Sequence, residues 1–122
     1  MILRFPATLG AAATLMLLAW PSSARAAGYG TFADCIRNSG AVMYEATWCP
    51  LCRQQREVFR GYANRLKTFK CDVAGNRKQT KATCNRLGID SYPTWILGDG
   101  SMRSGLHSAK DLAARTGCAI PD

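Results

Sequence analysis

Apolar and polar positions along the chain fall into blocks whose period changes from one block to the next. The first is a charge-free run from Ala7 to Trp20, preceded by the lone charge of Arg4. At about 14 residues it is shorter than the roughly 20 that a membrane-spanning helix needs. Pro21-Ser22-Ser23 follows, then Ala24-Arg25-Ala26, a small-x-small cleavage site. This order is that of a secretory signal peptide, so residues 1–26 are expected to be removed and 27–122 to form the mature domain. A retained N-terminal anchor is the competing reading. No cysteine near the cleavage site invites lipidation, and a single arginine does not make a twin-arginine signal.

Beyond that segment the pattern alternates between helical and extended periods. Thr31–Ser39 reads as a short helix, with Phe32 and Ile36 four apart and Gly40 as its stop. Residues 41–46 read as a strand. From Pro50 a long helical pattern places Leu51, Gln55, Val58, Tyr62 and Leu66 on one face. Arg53, Arg56, Arg60 and Lys67 occupy the opposite, solvated side. Pro50 suits a first helical position, where its missing N–H costs nothing. Thr68–Val73 is a second strand, 74–79 a polar connection, and Thr80–Leu87 a short helix stopped by Gly88. Thr94–Leu97 is a third strand, and Gly98-Asp99-Gly100 is a hairpin turn signal before a fourth, Ser101–Arg103. Ser108–Thr116 is the last helix, with Leu112 inward and Gly117 as its stop. The predicted order is αβαβαββα, in one domain without repeats or linkers.

Composition changes the picture in one respect. The 122 residues hold six cysteines, none in the segment to be removed. Export would carry all six into an oxidising compartment, where cross-links help a 96-residue core. Charge adds little. The formal +8 falls to +6 once Arg4 and Arg25 leave, and the basic residues form a solvated helix face rather than a nucleic-acid footprint. An anionic membrane surface or an acidic partner is the more plausible attraction. His107, the single histidine, is expected to be exposed.

Cys49-Pro50-Leu51-Cys52 carries the candidate chemistry. Two cysteines three apart at a helix start lie on one turn and can close a disulfide or stand as two thiols. At the N-cap, Cys49 meets free backbone N–H groups and the positive end of the helix dipole, which favour a thiolate nucleophile. Cys52, one turn in and toward the apolar side, is the expected resolving thiol. A zinc site would require a second pair at close spacing, but Cys71 and Cys84 are thirteen apart, so neither metal nor cofactor is expected. The other four cysteines cannot be paired from spacing, since six allow 15 connectivities.

Trp48-Cys49-Pro50-Leu51-Cys52 after a strand, Ser91-Tyr92-Pro93-Thr94 before another, and the αβαβαββα order together resemble the thioredoxin superfamily. Within it, residues 41–97 are most similar to the thioredoxin-like domain associated with bacterial vitamin K epoxide reductase homologues. The resemblance implies an α/β thioredoxin-like fold with a central four-stranded mixed sheet flanked by helices. It implies a periplasmic or secreted thiol–disulfide oxidoreductase, acting as a monomer on protein substrates and reoxidised by a quinone-linked membrane reductase. Pro93 would be a cis-proline facing the CxxC, with Thr94 beside it positioning the substrate backbone. Cys71 and Cys84 match that branch's second pair. A bond there closes a 14-residue loop worth roughly 3 kcal/mol, and Cys35 with Cys118 would then tie the domain's ends together. A second redox relay through Cys71 and Cys84 is the alternative.

Two positions depart from the branch. Leu51 stands where oxidising relatives often carry His, which should make this pair less oxidising. Glu45 stands where Gly is expected. It shares a strand face with Met43, whose position holds a buried acid in thioredoxin. Glu45 is therefore either a proton acceptor for Cys52 or a solvated strand-edge carboxylate. Trp48 and Trp95 flank the pair, as groove lining or as core. Two rivals stand beside the oxidase reading: a periplasmic reductant, and a disulfide-stapled binding module with a permanently oxidised CxxC.

Overall fold

Short β-branched and aromatic runs need neighbours on both sides, and here they obtain them in one four-stranded sheet. The computed structural model describes residues 28–72 and 77–121 together with the isolated residues 3 and 10, with backbone alone for 77–79. The signal-peptide reading and residues 73–76 lie outside the described residues. The elements are α1 (Tyr29–Asn38), β1 (Val42–Glu45), α2 (Pro50–Glu57), β2 (Thr68–Lys70), α3 (Arg77–Arg86), β3 (Thr94–Ile96), β4 (Met102–Ser104) and α4 (Ala109–Thr116). The sheet order is β2-β1-β3-β4. β1 and β2 are parallel, and the other two pairings are antiparallel. The fold is thioredoxin-like, a mixed sheet flanked by helices.

Strand alternation sorts the side chains into two cores. Met43 and its register partner Trp95 face Phe32, Ile36, Phe59, Leu66 and Leu112, joining α1, the segment that follows α2, and α4 to one side of the sheet. Tyr44, Phe69 and Ile96 face Cys71, Cys84 and Ile89 on the other. The hairpin before β4 passes very close to the end of α1. A Cβ on Gly98 would lie 2.2 Å from the Ser39 carbonyl oxygen, so no larger residue fits there.

The predicted long helix from Pro50 is shorter than its pattern. It ends at Glu57, the chain turns through Arg60 (φ 46°) and Gly61 (φ 92°), and a single 3-10 turn follows at Ala63–Arg65. Arg60 and Gly61 in succession take the left-handed conformation that turns the chain away beyond the helix, at no steric cost for Gly61. Arg60 accepts the same conformation with its guanidinium over the Tyr29 ring, 4.7 Å from the centroid. The buried face matches the expected one only in part: Gln55 and Leu66 are buried as expected and Val58 is half-buried. Cys52, Gln55 and Phe59 are inside, whereas Leu51 and Tyr62, expected inside, are exposed. The solvated basic face needs correction too, because Arg56 is half-buried and ion-paired. His107 is likewise not exposed: its side chain is only 15% accessible and pairs with Asp111 of α4.

Candidate active site

The two sulfurs are positioned by the first turn of α2. Cys49 is its N-cap, in extended conformation, and its Sγ accepts a hydrogen bond from the Cys52 N–H at 3.1 Å. That bond satisfies one of the unpaired donors at the helix start and points a donor at the sulfur. Pro50 follows at the first helical position. On its other side the Cys49 thiol donates to the Tyr92 carbonyl at 3.4 Å. Both sulfurs are free thiols and both residues are buried.

The loop facing them is closely tied. The Tyr92–Pro93 peptide is cis. The Thr94 hydroxyl donates to the Ser91 carbonyl at 2.7 Å, and the Gly105 N–H donates to the Pro93 carbonyl at 2.8 Å. Thr94 itself is buried at the start of β3. The two tryptophans part company. Trp95 is fully buried in the core, while Trp48 is 67% exposed, with the Tyr92 ring edge-on to it at 5.9 Å. Trp48 and the exposed Leu51 form an apolar rim beside the buried sulfurs.

Cys52 differs from an ordinary thiol. Burial, then the hydrogen bond with the Cys49 thiol, and lastly the nearby Cys49 and Glu45 charges push it up to about 12, partly offset by a backbone hydrogen bond at Ala46. Glu45 lines the same cleft as both cysteines, with Thr47, Arg53, Arg56 and Lys70. It is not a solvated edge carboxylate: it is 3% exposed, and Arg56 clamps both of its oxygens. Nε reaches Oε2 at 3.1 Å and the terminal nitrogen reaches Oε1. Such a two-pronged, charge-assisted pair is what permits a carboxylate at that depth.

Three further residues hold the site, and spacing did not single them out for that role. The Asp72 carboxylate accepts the Thr47 N–H at 3.0 Å and the Thr47 hydroxyl, fixing the turn that leads to Cys49. The Thr47 hydroxyl bond is the main reason the Asp72 carboxyl titrates below the usual carboxylate range. Gln55, fully buried, bonds to Trp95 and to the backbone of His107. His107 in turn joins Ser104 and Asp111. Only Gln55 left a trace in the pattern, as a lone amide on an apolar face, where a buried polar group implies partners. Among the described residues no cluster of three potential metal ligands occurs.

The remaining cysteines are cross-linked, Cys35 to Cys118 and Cys71 to Cys84. The second bond lies against the site. The Cys71 N–H donates to the Glu45 carbonyl at 2.9 Å, and Asp72 is the next residue.

No family model matches the chain. It is similar to the thiol-disulfide oxidoreductase LTO1 of Arabidopsis thaliana, 36% identical over 88 residues. That similarity covers 70% of this chain but spans only 23% of the length of that relative.

Proposed function

We propose that this chain is an exported protein thiol–disulfide oxidoreductase working through Cys49 and Cys52. The observation that carries the reading is the asymmetry of the pair. Cys49 caps α2 with its sulfur between the Cys52 N–H and the Tyr92 carbonyl, while Cys52 lies one turn deeper as a tightly protonated thiol. The similarity to a protein named a thiol-disulfide oxidoreductase supports the same chemistry.

In the oxidising direction the enzyme begins with a Cys49–Cys52 disulfide. A substrate thiolate attacks the Cys49 sulfur, forming a mixed disulfide and expelling Cys52 as a thiolate, which takes up a proton. A second substrate thiolate then attacks the substrate sulfur of the mixed disulfide and releases Cys49. The substrate has lost two electrons and the pair has gained them. The affinity of Cys52 for a proton favours capture of the departing thiolate, and Glu45, in the same cleft, would accept that proton when Cys52 ionises again for reoxidation. The strand beside Pro93 and Thr94 positions the extended substrate backbone, with Trp48 and Leu51 as an apolar rim. The two structural disulfides suit an oxidising compartment, in keeping with a signal peptide at 1–26 and a periplasmic or secreted location. A quinone-linked membrane reductase of the vitamin K epoxide reductase type then reoxidises the pair.

Trapping tests the chemistry. Cys52→Ala should accumulate mixed disulfides with disulfide-bonded proteins, the Cys49 thiolate attacking the substrate disulfide and releasing a substrate thiol with no Cys52 to resolve the adduct, and Cys49→Ala should accumulate none. Absence of adducts in both variants, with no exchange by the parent chain, would refute the reading. The reduction potential tests the direction. A value near −120 to −180 mV supports the oxidase, and one near about −270 mV a reductant.

A further inference from the structure

Gln55 is 0% exposed, and its amide is engaged at both ends. Its Oε1 accepts the Trp95 indole N–H at 3.2 Å and the His107 backbone N–H at 2.8 Å. Its Nε2 donates to the His107 carbonyl at 2.9 Å. One side chain of the redox helix therefore pairs with His107 as a neighbouring strand would, and also holds the residue two past Pro93.

These anchors converge on the loop that faces the sulfurs. Trp95 lies two residues after Pro93, in β3. His107 lies two residues after Gly105, whose N–H donates to the Pro93 carbonyl at 2.8 Å. His107 is itself fixed: its ring nitrogens contact Asp111 Oδ2 at 2.6 Å and the Ser104 carbonyl at 3.2 Å. The path from Cys52 through Gln55 to Pro93 is thus closed on two sides, through β3 and through the 105–107 loop. An apolar residue of the same size would fill the space but leave two donors and a carbonyl unpaired.

We infer that Gln55 is a positioning residue for disulfide exchange, setting the register between the Cys49 sulfur on α2 and the Pro93–Thr94 edge where substrate backbone docks. The inference rests on the thiol–disulfide reading. It adds that the nucleophile and the docking edge sit on two different elements of the fold, and that this amide, together with the Cys49 thiol bond to the Tyr92 carbonyl, sets the distance between them. A misplacement of about 1 Å between reacting groups can cost on the order of a hundredfold in rate. A small reagent needs no docking edge and does not sense the register.

The test uses the full mature domain carrying Gln55→Leu, in the folded state shown by a cooperative unfolding transition. Exchange with a disulfide-bonded peptide is compared with alkylation of Cys49 by iodoacetamide. The expected result is a fall of at least tenfold in peptide exchange, carried by kcat, with Cys49 alkylation within twofold of the parent. Peptide exchange within twofold of the parent overturns the inference, as does a fall in alkylation equal to the fall in exchange. If Gln55→Leu does not fold, Trp95→Phe decides, because it removes one of the three bonds while keeping an aromatic ring in the core, and its unfolding transition reports the cost of the smaller ring separately. About a threefold loss in exchange is expected there, and no loss overturns the inference. Failure of the parent chain itself to exchange disulfides would strike at the proposed function instead.

Discussion

Replacing Cys35 and Cys118 together by alanine should be the costlier of the two cross-link deletions. That bond joins α1 to the residue just past the end of α4 and closes a loop of 84 residues, against 14 for Cys71–Cys84. The chain-entropy relation gives about 4.5 kcal/mol for the longer loop and about 3 kcal/mol for the shorter. Each double variant removes two sulfur atoms from largely buried sites, so packing losses nearly cancel and a difference of about 1.5 kcal/mol remains. A domain of this size has roughly 5–14 kcal/mol in total, so either deletion removes a substantial share of it and both together approach the whole. Urea unfolding followed by fluorescence of the buried Trp95 measures each cost from the midpoint and slope. The slope should rise in both variants as the unfolded chain expands. A Cys71/Cys84 variant as unstable as the Cys35/Cys118 variant, or less stable, would refute the loop-entropy reasoning.

The Glu45–Arg56 pair should respond asymmetrically, because Glu45 is 3% exposed and Arg56 36%. Arg56→Met strands a buried carboxylate and should cost about 3–5 kcal/mol, whereas Glu45→Gln leaves a guanidinium able to turn to water and should cost about 1 kcal/mol. Equal costs in denaturant unfolding would contradict that account. Glu45→Gln should also bring the Cys52 pKa down, so that the thiol ionises more readily, since the carboxylate charge contributes to raising that pKa; unchanged thiol titration would end the proton-acceptor role. In the reduced protein, Cys52 is pushed from 9.0 to about 12 by burial first. The unfolded chain therefore ionises first as pH rises. The contribution of Cys52 is whole below pH 9 and is lost between about pH 9 and 12, some 2 kcal/mol being gone by about pH 10.5. The parent should lose more stability than Cys52→Ala across that range, and parallel profiles would count against it.

The strands, the helix stops and the CxxC turn were legible because each is local. Alternation, a glycine after a helix and a proline at a helix start all act within a few residues. The sheet followed from the same runs once the resemblance supplied their order. The errors have local causes too. Arg60 and Gly61 sit inside a periodic run, and their left-handed conformations keep the chain from resuming the helix that the spacing would have continued. Gln55 and Leu66 lie inside as their spacing predicts, but at the first turn Leu51 is exposed and its neighbour Cys52 is buried instead. The Cys52–Gln55–Phe59 face contains a thiol and an amide that a hydrophobic count undervalues.

What the pattern could not show follows from how α2 is held. It has eight residues, too few to persist as a helix by itself. Its sequence Pro50-Leu51-Cys52-Arg53-Gln54-Gln55-Arg56-Glu57 buries only Cys52 and Gln55, so apolar burial contributes little to fixing it. The helix that presents Cys49 is therefore secured mainly by polar contacts to other elements. Arg56 binds the end of β1, Gln55 binds β3 and the 105–107 loop, the Cys49 thiol meets the Tyr92 carbonyl, and Asp72 fixes the turn before it. The sequence separations of these contacts run from 11 to 52 residues, far beyond any helical or strand period. A helix held by side-chain hydrogen bonds more than by core packing can keep the Cys49 sulfur just beneath the surface at its first turn, with little apolar cover of its own. Trp48 and Leu51 can then stay exposed beside that sulfur, because neither is needed to hold the helix down.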